Sequence, residues 1–266
     1  MRAKGWVLDL DGVVRLGSQR ITGSPEAIAA LRAAGREVVF ATNNSNDTIG
    51  QVEAQLSAMG IPAARSVVTS ATAAATLVAA DERVLVCGGP GVTEAVRGRG
   101  AIVVEDDGPV DTVMVGFHRD FDYERMTTAT RAVLRGARLV GTNDDRTYPT
   151  PEGLAPGAGA ILASIVRATE AEPVIAGKPY EPMAEAIRAS LASPDGHGPR
   201  PDVVVGDRAD TDGAMAAALG VPFVLVLSGV AGPDDAPAVP PPALVATDLA
   251  AAVAELAATE PVRARL

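Results

Sequence analysis

Two aspartates stand two residues apart at the end of a short apolar run near the N-terminus, WVLDLDGVV (Trp6–Val14). The apolar residues before them predict a buried strand, and burial of an ionised carboxylate without a compensating charge is costly. In an extended strand residues i and i+2 point to the same side, so Asp9 and Asp11 can face one site. The pair therefore predicts a site that brings positive charge to two carboxylates.

Three later segments offer groups that could complete such a site. ATNNS contains the Thr42 hydroxyl and the backbone N–H groups around Asn43, and AGKP contains Lys178. VGDRADTD contributes Asp207 and, five residues later, Asp212. Carboxylate oxygens without histidine or cysteine favour Mg²⁺, which binds a few carboxylates together with water and phosphate oxygens. With a lysine and a hydroxyl nearby, the set predicts a magnesium site that receives a phosphoryl group.

The elements that must position these residues alternate between strands and helices along the chain. Short apolar runs such as EVVFATNN, RVLVCG and DVVVGD are separated by helical patterns such as EPMAEAIRASLA, which predicts an α/β fold with parallel sheets. Ligands of such sheets bind beyond the carboxyl ends of the strands, which is where the aspartates stand. The first helix is predicted to begin with Ser24 as its N-cap and Pro25 in its first turn, and to end at Gly35.

Composition restricts the partners of the protein. The chain has 266 residues, 47% of them apolar, which is enough for one large domain or two of ordinary size. A net charge of -10 and the lack of a Lys/Arg cluster argue against nucleic acid or a membrane as the main partner. Cys87, the single cysteine, is predicted to be a small buried residue on a strand. Neither a signal peptide nor a membrane-spanning run is evident, so a cytoplasmic location is expected.

The segments DLDGV, ATNN, GKP and GDRADTD, in this order, resemble the four motifs of the haloacid dehalogenase (HAD) superfamily of phosphatases. The stretch from VGFHRDFDYERM to TNDDRTYPTPEGLAPGAGA is similar to the large α/β cap domain of its subfamily IIA. That subfamily contains NagD-like nucleotide phosphatases, phosphoglycolate and glycerol-phosphate phosphatases, p-nitrophenylphosphatases and pyridoxal phosphatase. The resemblance implies a Rossmann-like parallel-sheet core, residues 1–78 and 177–266, with an inserted α/β type-2 cap domain at residues 79–176.

The resemblance also implies a role for each motif residue. Asp9 is expected to be the nucleophile that forms an aspartyl-phosphate, and Asp11 to protonate the leaving oxygen and then activate water. Mg²⁺ is expected to bind Asp9, the backbone carbonyl of Asp11, and Asp207, while Asp212 orients metal-bound water or Lys178. Three groups are expected to hold the phosphoryl oxygens: Thr42, the amide of Asn43, and Lys178.

The loop TNDDRTYPTPEG (Thr142–Gly153) is expected to overlie the active site and to help select the substrate. Tyr148 is therefore a candidate substrate-binding residue, with an ordinary surface loop as the alternative. Tyr148 also stands where pyridoxal phosphatases carry a histidine, which argues against pyridoxal phosphate as the substrate. His118 stands where many relatives have an acidic residue, and it is predicted to be an exposed residue at a strand end.

The sequence thus predicts a Mg²⁺-dependent phosphatase that hydrolyses a small phosphorylated metabolite through an aspartyl-phosphate. Sugar phosphates, glycerol phosphate, phosphoglycolate and nucleoside monophosphates are all open as substrates, because a fold does not fix specificity. Two alternative functions are a phosphoryl transferase such as a phosphomutase, and a catalytically silent binding module on the same fold. Relatives often dimerise through the cap, so a homodimer is a further expectation of the resemblance.

Overall fold

The computed structural model describes residues 4–106, 108–150, 153–192, 198–230, 232 and 241–263. The strands, in chain order, are β1 (Lys4–Leu8), β2 (Arg15–Leu16), β3 (Gln19–Arg20), β4 (Glu37–Thr42), β5 (Val67–Thr69), β6 (Arg83–Cys87), β7 (Ile102–Val104), β8 (Thr112–Val115), β9 (Arg138–Gly141), β10 (Thr147–Thr150), β11 (Gly153–Pro156), β12 (Val174–Ile175), β13 (Arg200–Gly206), β14 (Phe223–Val226) and β15 (Leu244–Ala246). The helices are α1 (Ser24–Ala33), α2 (Ile49–Ala58), α3 (Ser70–Ala75), α4 (Pro90–Gly98), α5 (Tyr123–Leu134), α6 (Ala158–Thr169), α7 (Glu181–Leu191), a π-helical turn (Ala209–Gly213), α8 (Ala214–Leu219) and α9 (Leu249–Arg263).

The chain divides into two units. The first comprises the described residues of Met1–Ala41, Glu53–Val67 and Ile187–Leu266, and the second those of Thr42–Val52 and Val68–Ala186. Each unit is built around one large sheet of parallel strands, which confirms the predicted α/β class. The bounds given above for a core and a cap domain stay a prediction. Within the described residues, no helix is both long and apolar enough to cross a membrane.

The sheet of the first unit has the strand order β15-β14-β13-β1-β4-β5. β1 lies between β13 and β4 and is parallel to both. Leu8, at the end of β1, is in register with Val205 on one side and Phe40 on the other, and all three are fully buried. Such burial on both faces is typical of central parallel strands. Because β1 and β13 run side by side, the residues that follow them emerge at the same edge of the sheet.

The sheet of the second unit has the strand order β12-β9-β8-β6-β7, and every neighbouring pair is parallel. Its apolar core joins the strands to α5 and α6, with Leu139 and Ile165 among its buried residues. Cys87 is buried in the same core, as predicted, and burial raises the pKa of its thiol to about 12. A separate antiparallel hairpin, β10–β11, precedes α6.

The prediction that Ser24 caps the first helix is wrong. Gly23, in the left-handed region at φ 85°, occupies the cap position, and Ser24 is the first residue of α1. The Ser24 hydroxyl instead donates to the carbonyl oxygen of Val13 at 3.0 Å. The Ser24 hydroxyl thus satisfies a buried carbonyl of the loop after β1, and the cap position lies one residue earlier, at Gly23.

The prediction that His118 is exposed is also wrong. His118 is buried, with Nδ1 at 3.2 Å from the carbonyl oxygen of Gly116 and its ring edge-on to Phe121. Desolvation by burial lowers the pKa of the imidazole below its usual value. The pattern of a strand end does not reveal this aromatic contact.

Replacement of Leu8 by alanine tests the central position of β1. Leu8→Ala deletes fully buried methyl groups between two neighbouring strands, so we expect the free energy of unfolding to fall by about 2–5 kcal/mol. Leu16→Ala is the matched control, because Leu16 is 55% exposed, and its free energy of unfolding should change by about 0.5 kcal/mol or less. Urea titration followed by circular dichroism measures both. Equal losses in the two variants would contradict the assignment of Leu8 to the core.

Candidate active site

Three aspartates of the first unit bring their carboxylates together beyond the carboxyl ends of β1 and β13. One oxygen from each of Asp9, Asp207 and Asp212 lies within 4.8 Å of the others. Asp207 and Asp212 are buried, and Asp9 is half-buried. The N–H of Asp9 donates to Val205 at 3.0 Å, so the ladder between β1 and β13 continues up to the first carboxylate. We refer to these three residues as the carboxylate cluster.

Asp212 reaches the carboxylate cluster from the π-helical turn that follows β13. Its N–H donates to the carbonyl oxygen of Arg208 at 2.8 Å, and its Oδ2 accepts the Arg208 N–H at 3.2 Å. A Cβ atom at Gly206 would lie 2.2 Å from the Asp212 side chain. Glycine at the end of β13 therefore allows the carboxylate to approach the strand backbone.

Backbone groups contact the Asp207 carboxylate closely. Its Oδ2 accepts the N–H of Val230 at 2.7 Å. A Cβ atom would lie 2.3 Å from this oxygen at Gly12 and 2.0 Å from it at Gly229. Gly12 also has φ +90°, a conformation that other residues rarely adopt. Its carbonyl oxygen accepts the Ser228 hydroxyl at 2.7 Å, which joins the loops after β1 and β14.

The carboxylate cluster fits a hard divalent cation. Several carboxylates in a poorly solvated site are costly unless positive charge compensates them. Every donor in the cluster is a carboxylate oxygen, and neither histidine nor cysteine belongs to it. Such a donor set suits Mg²⁺ or Ca²⁺ better than a transition metal. Asp9, Asp207 and Asp212 are thus the described residues that could hold the ion.

Asp11 has different surroundings from Asp9, two residues away. Its carboxylate does not belong to the carboxylate cluster of the described residues. It forms an ion pair with Arg15, in which Nε lies 3.1 Å from Oδ1. Sequence reasoning missed Arg15, although its spacing of four residues from Asp11 was a readable signal.

In the second unit, Asn43 and Lys178 are in direct contact. The Asn43 Oδ1 accepts the Lys178 N–H at 2.8 Å, and its Nδ2 donates to the Lys178 carbonyl at 3.2 Å. The same Nδ2 donates to Asp145 at 3.0 Å. Thr42 is buried, and its hydroxyl accepts the N–H of Asn44 at 3.1 Å. The Asn43 side chain thus fixes the main chain of Lys178, a function that the sequence analysis did not assign to it.

Tyr148 lies on the β10–β11 hairpin of the second unit. Its ring meets Phe117 edge-on at a centroid distance of 5.0 Å, and its hydroxyl accepts from Arg119 at 3.4 Å. Nearby in the sequence, Asp144 accepts a 2.6 Å hydrogen bond from Tyr180, and this bond raises the pKa of the Tyr180 hydroxyl to about 12. A role of Tyr148 in substrate binding stays a prediction.

The chain is similar to known phosphatases over most of its length. Residues 6–102 match the haloacid dehalogenase-like hydrolase family, and residues 175–252 match a family described as HAD-hydrolase-like. The acid sugar phosphatase of Staphylococcus saprophyticus is 35% identical over 232 residues, which are 85% of this chain and 87% of that protein. The p-nitrophenyl phosphatase from Archaeoglobus fulgidus has a TM-score of 0.86 at 30% identity and covers 96% of this chain and 100% of its own. The glycerol phosphate phosphatase Rv1692 from Mycobacterium tuberculosis, solved in complex with magnesium, has a TM-score of 0.84 at 33% identity, with coverages of 93% and 75%.

Substitution of Gly229 tests whether the carboxylate cluster binds a cation through Asp207. The added Cβ of Gly229→Ala would lie 2.0 Å from Asp207 Oδ2, so the carboxylate must move. We expect the affinity for Mg²⁺, measured by isothermal titration calorimetry, to fall by about 10–100-fold, as when a metal ligand loses its support. Gly50→Ala is the control, because a Cβ at Gly50 meets no atom within 4 Å. Unchanged Mg²⁺ affinity in Gly229→Ala would contradict the metal-binding role of Asp207.

Proposed function

Because the chain belongs to the haloacid dehalogenase-like hydrolase family and is a phosphoric monoester hydrolase, we propose that it hydrolyses small sugar or polyol phosphates through an aspartyl-phosphate on Asp9. The comparisons confirm the family and the enzyme class that were predicted from the sequence. The substrate class in the proposal rests on the relatives, of which one is an acid sugar phosphatase and another a glycerol phosphate phosphatase.

The observation that carries the proposal is the carboxylate cluster. A nucleophilic carboxylate must approach a phosphate ester that is itself negatively charged, and a cation between them removes this repulsion. Bound to the carboxylate cluster, Mg²⁺ would supply that charge and stabilise the transferring phosphoryl group. The magnesium complex of the glycerol phosphate phosphatase supports the choice of ion. The predicted contact of the Asp11 carbonyl with the ion, and the predicted indirect role of Asp212, stay predictions.

In the first step of the proposed reaction, an Asp9 oxygen forms a bond to phosphorus. The bond from phosphorus to the ester oxygen breaks, and its electron pair stays on that oxygen. The Asp11 carboxyl group donates its proton to the same oxygen, so the product leaves as a neutral alcohol. Asp9 then carries the phosphoryl group and Asp11 is ionised. The covalent intermediate splits one difficult displacement into two easier ones.

In the second step, water attacks the phosphorus of the aspartyl-phosphate. The Asp11 carboxylate takes a proton from the water, and the bond from phosphorus to Asp9 breaks with its electron pair on the aspartate oxygen. Inorganic phosphate leaves, Asp9 is again a carboxylate, and Asp11 is again protonated for the next cycle. The resemblance predicts that three groups hold the phosphoryl oxygens in both steps, and this stays a prediction: Thr42, the Asn43 amide and Lys178.

Replacement of the nucleophile tests the proposal. We expect Asp9→Asn to lower kcat by about 10³-fold or more, because the amide oxygen is a far weaker nucleophile than a carboxylate. The assay measures free phosphate released from p-nitrophenyl phosphate, glycerol phosphate and a panel of sugar phosphates, with Mg²⁺ or with EDTA. Circular dichroism establishes that the variant is folded. Asp210→Asn is the matched control, since Asp210 is an exposed aspartate paired with Arg208.

Full activity in Asp9→Asn would overturn the covalent mechanism. Turnover that yields a new phosphate ester instead of free phosphate would favour the phosphoryl transferase. A folded wild type that binds Mg²⁺ but turns over no phosphate ester would favour the silent binding module. Activity that persists unchanged in EDTA would remove the metal from the proposal.

A further inference from the structure

The loop after β1 folds into a tight turn that brings Arg15 back onto Asp11. The carbonyl oxygen of Leu10 accepts the N–H of Val14 at 2.9 Å and that of Arg15 at 3.0 Å. The carbonyl oxygen of Arg15 in turn accepts the N–H of Gly12 at 2.7 Å. The main chain is thus bonded to itself on both sides of Asp11, and the position of Arg15 relative to Asp11 is set by the backbone.

The side chains of Asp11 and Arg15 differ sharply in exposure. The Arg15 side chain is 5% exposed, whereas that of Asp11 is 48% exposed. The guanidinium faces both carboxylate oxygens, with Nε at 3.1 Å from Oδ1 and Nη2 at 3.5 Å from Oδ2. Its third nitrogen, Nη1, donates to the side-chain oxygen of Gln55. A buried guanidinium that donates to two side chains has little freedom to move. It can therefore hold the more exposed of its two partners, the Asp11 carboxylate, in a fixed orientation.

We propose that Arg15 is a positioning residue, which holds the Asp11 carboxyl group in place for proton transfer while Gln55 fixes the guanidinium. The inference rests on the proposed function, since it deepens the role of Asp11 in that mechanism. A half-exposed aspartate without such a support samples several rotamers, and only some of them bring its oxygens within hydrogen-bond reach of the leaving oxygen. A displacement of about 1 Å can cost about 100-fold in rate.

The dependence of kcat/KM on the leaving group distinguishes a positioning role of Arg15 from a merely structural one. An alkyl ester such as glycerol phosphate releases a poorly stabilised alkoxide and needs the proton of Asp11. The p-nitrophenolate ion is a stable leaving group and needs it far less. The ratio kcat/KM reports transfer of the phosphoryl group to Asp9, the step in which Asp11 acts as an acid, and it excludes the later hydrolysis. The kcat/KM values of the two esters therefore separate loss of acid catalysis from general damage.

Arg15→Met tests the inference on these two substrates. We expect kcat/KM for glycerol phosphate to fall by about 10–100-fold, which is at most the lower end of the roughly 10²–10⁴-fold that one acid catalyst contributes, and that for p-nitrophenyl phosphate by about threefold at most. Arg15→Lys should recover part of the loss, because lysine keeps the charge but lacks the planar fork. Arg138→Met is the control, since it removes an arginine ion-paired with Glu82 in the second unit, and it should affect both esters alike. Gln55→Leu should show a smaller loss of kcat/KM that is again selective for glycerol phosphate. It replaces Arg15→Met as the test variant if Arg15→Met does not fold.

A double-mutant cycle tests whether Arg15 acts through Asp11. In the Asp11→Asn background, Arg15→Met should lower kcat/KM for glycerol phosphate by about twofold or less, because the group that it positions is already gone. Equal losses on the two esters, or the full loss in the Asp11→Asn background, would overturn the inference and leave Arg15 a structural residue. A wild type inactive on both esters would count against the proposed function itself, whereas an active wild type with unselective losses counts against Arg15 alone.

Discussion

The approach of three carboxylates to within 4.8 Å of one another is the constraint on which the first unit depends. Carboxylates repel one another, so other parts of the fold must hold them together, and backbone elements contribute to this here. The parallel register of β1 and β13 sets Asp9 beside Asp207, and the π-helical turn returns Asp212 to the same place. The apolar strands around Leu8 help to position these groups, because buried and closely packed strands resist displacement. Glycines at the contact points supply the remaining space.

Within each unit, hydrogen bonds hold segments that carry candidate site residues. In the first unit, backbone N–H groups and a serine hydroxyl hold the loops that carry the aspartates. In the second, a side-chain amide does the equivalent: Asn43 offers one acceptor and one donor to the N–H and carbonyl of Lys178. An aspartate at position 43 could accept but not donate, and a leucine could do neither. The structure therefore favours asparagine at position 43 for a reason that is separate from the phosphate contact predicted for its amide.

The sequence predicts best what depends on neighbours along the chain. The apolar runs identify the strands, and the aspartates at their ends identify the edge of the sheet, because both signals lie within a few residues. The Asp11–Arg15 pair is a local feature that it missed, and the other missed contacts depend on distant partners. Arg15 meets Gln55 across 40 positions, and Asn43 meets Asp145 across 102. Ser24 also has a distant partner: its hydroxyl donates to the carbonyl oxygen of Val13, 11 residues away, while Gly23 occupies the cap position that was predicted for Ser24.

Asp9 and Asp11 are the same residue type two positions apart, and their surroundings differ in the way that the roles proposed for them require. A nucleophile must be held firmly in one place, and Asp9 has the end of a central strand and two neighbouring carboxylates that fit a cation. A group that gives a proton in one step and takes one in the next must reach both the leaving oxygen and water. Asp11 has the exposure for this, and complete exposure would leave its orientation undefined. An arginine buried beneath it supplies orientation without covering it, so the loop after β1 meets two requirements that a strand alone could not.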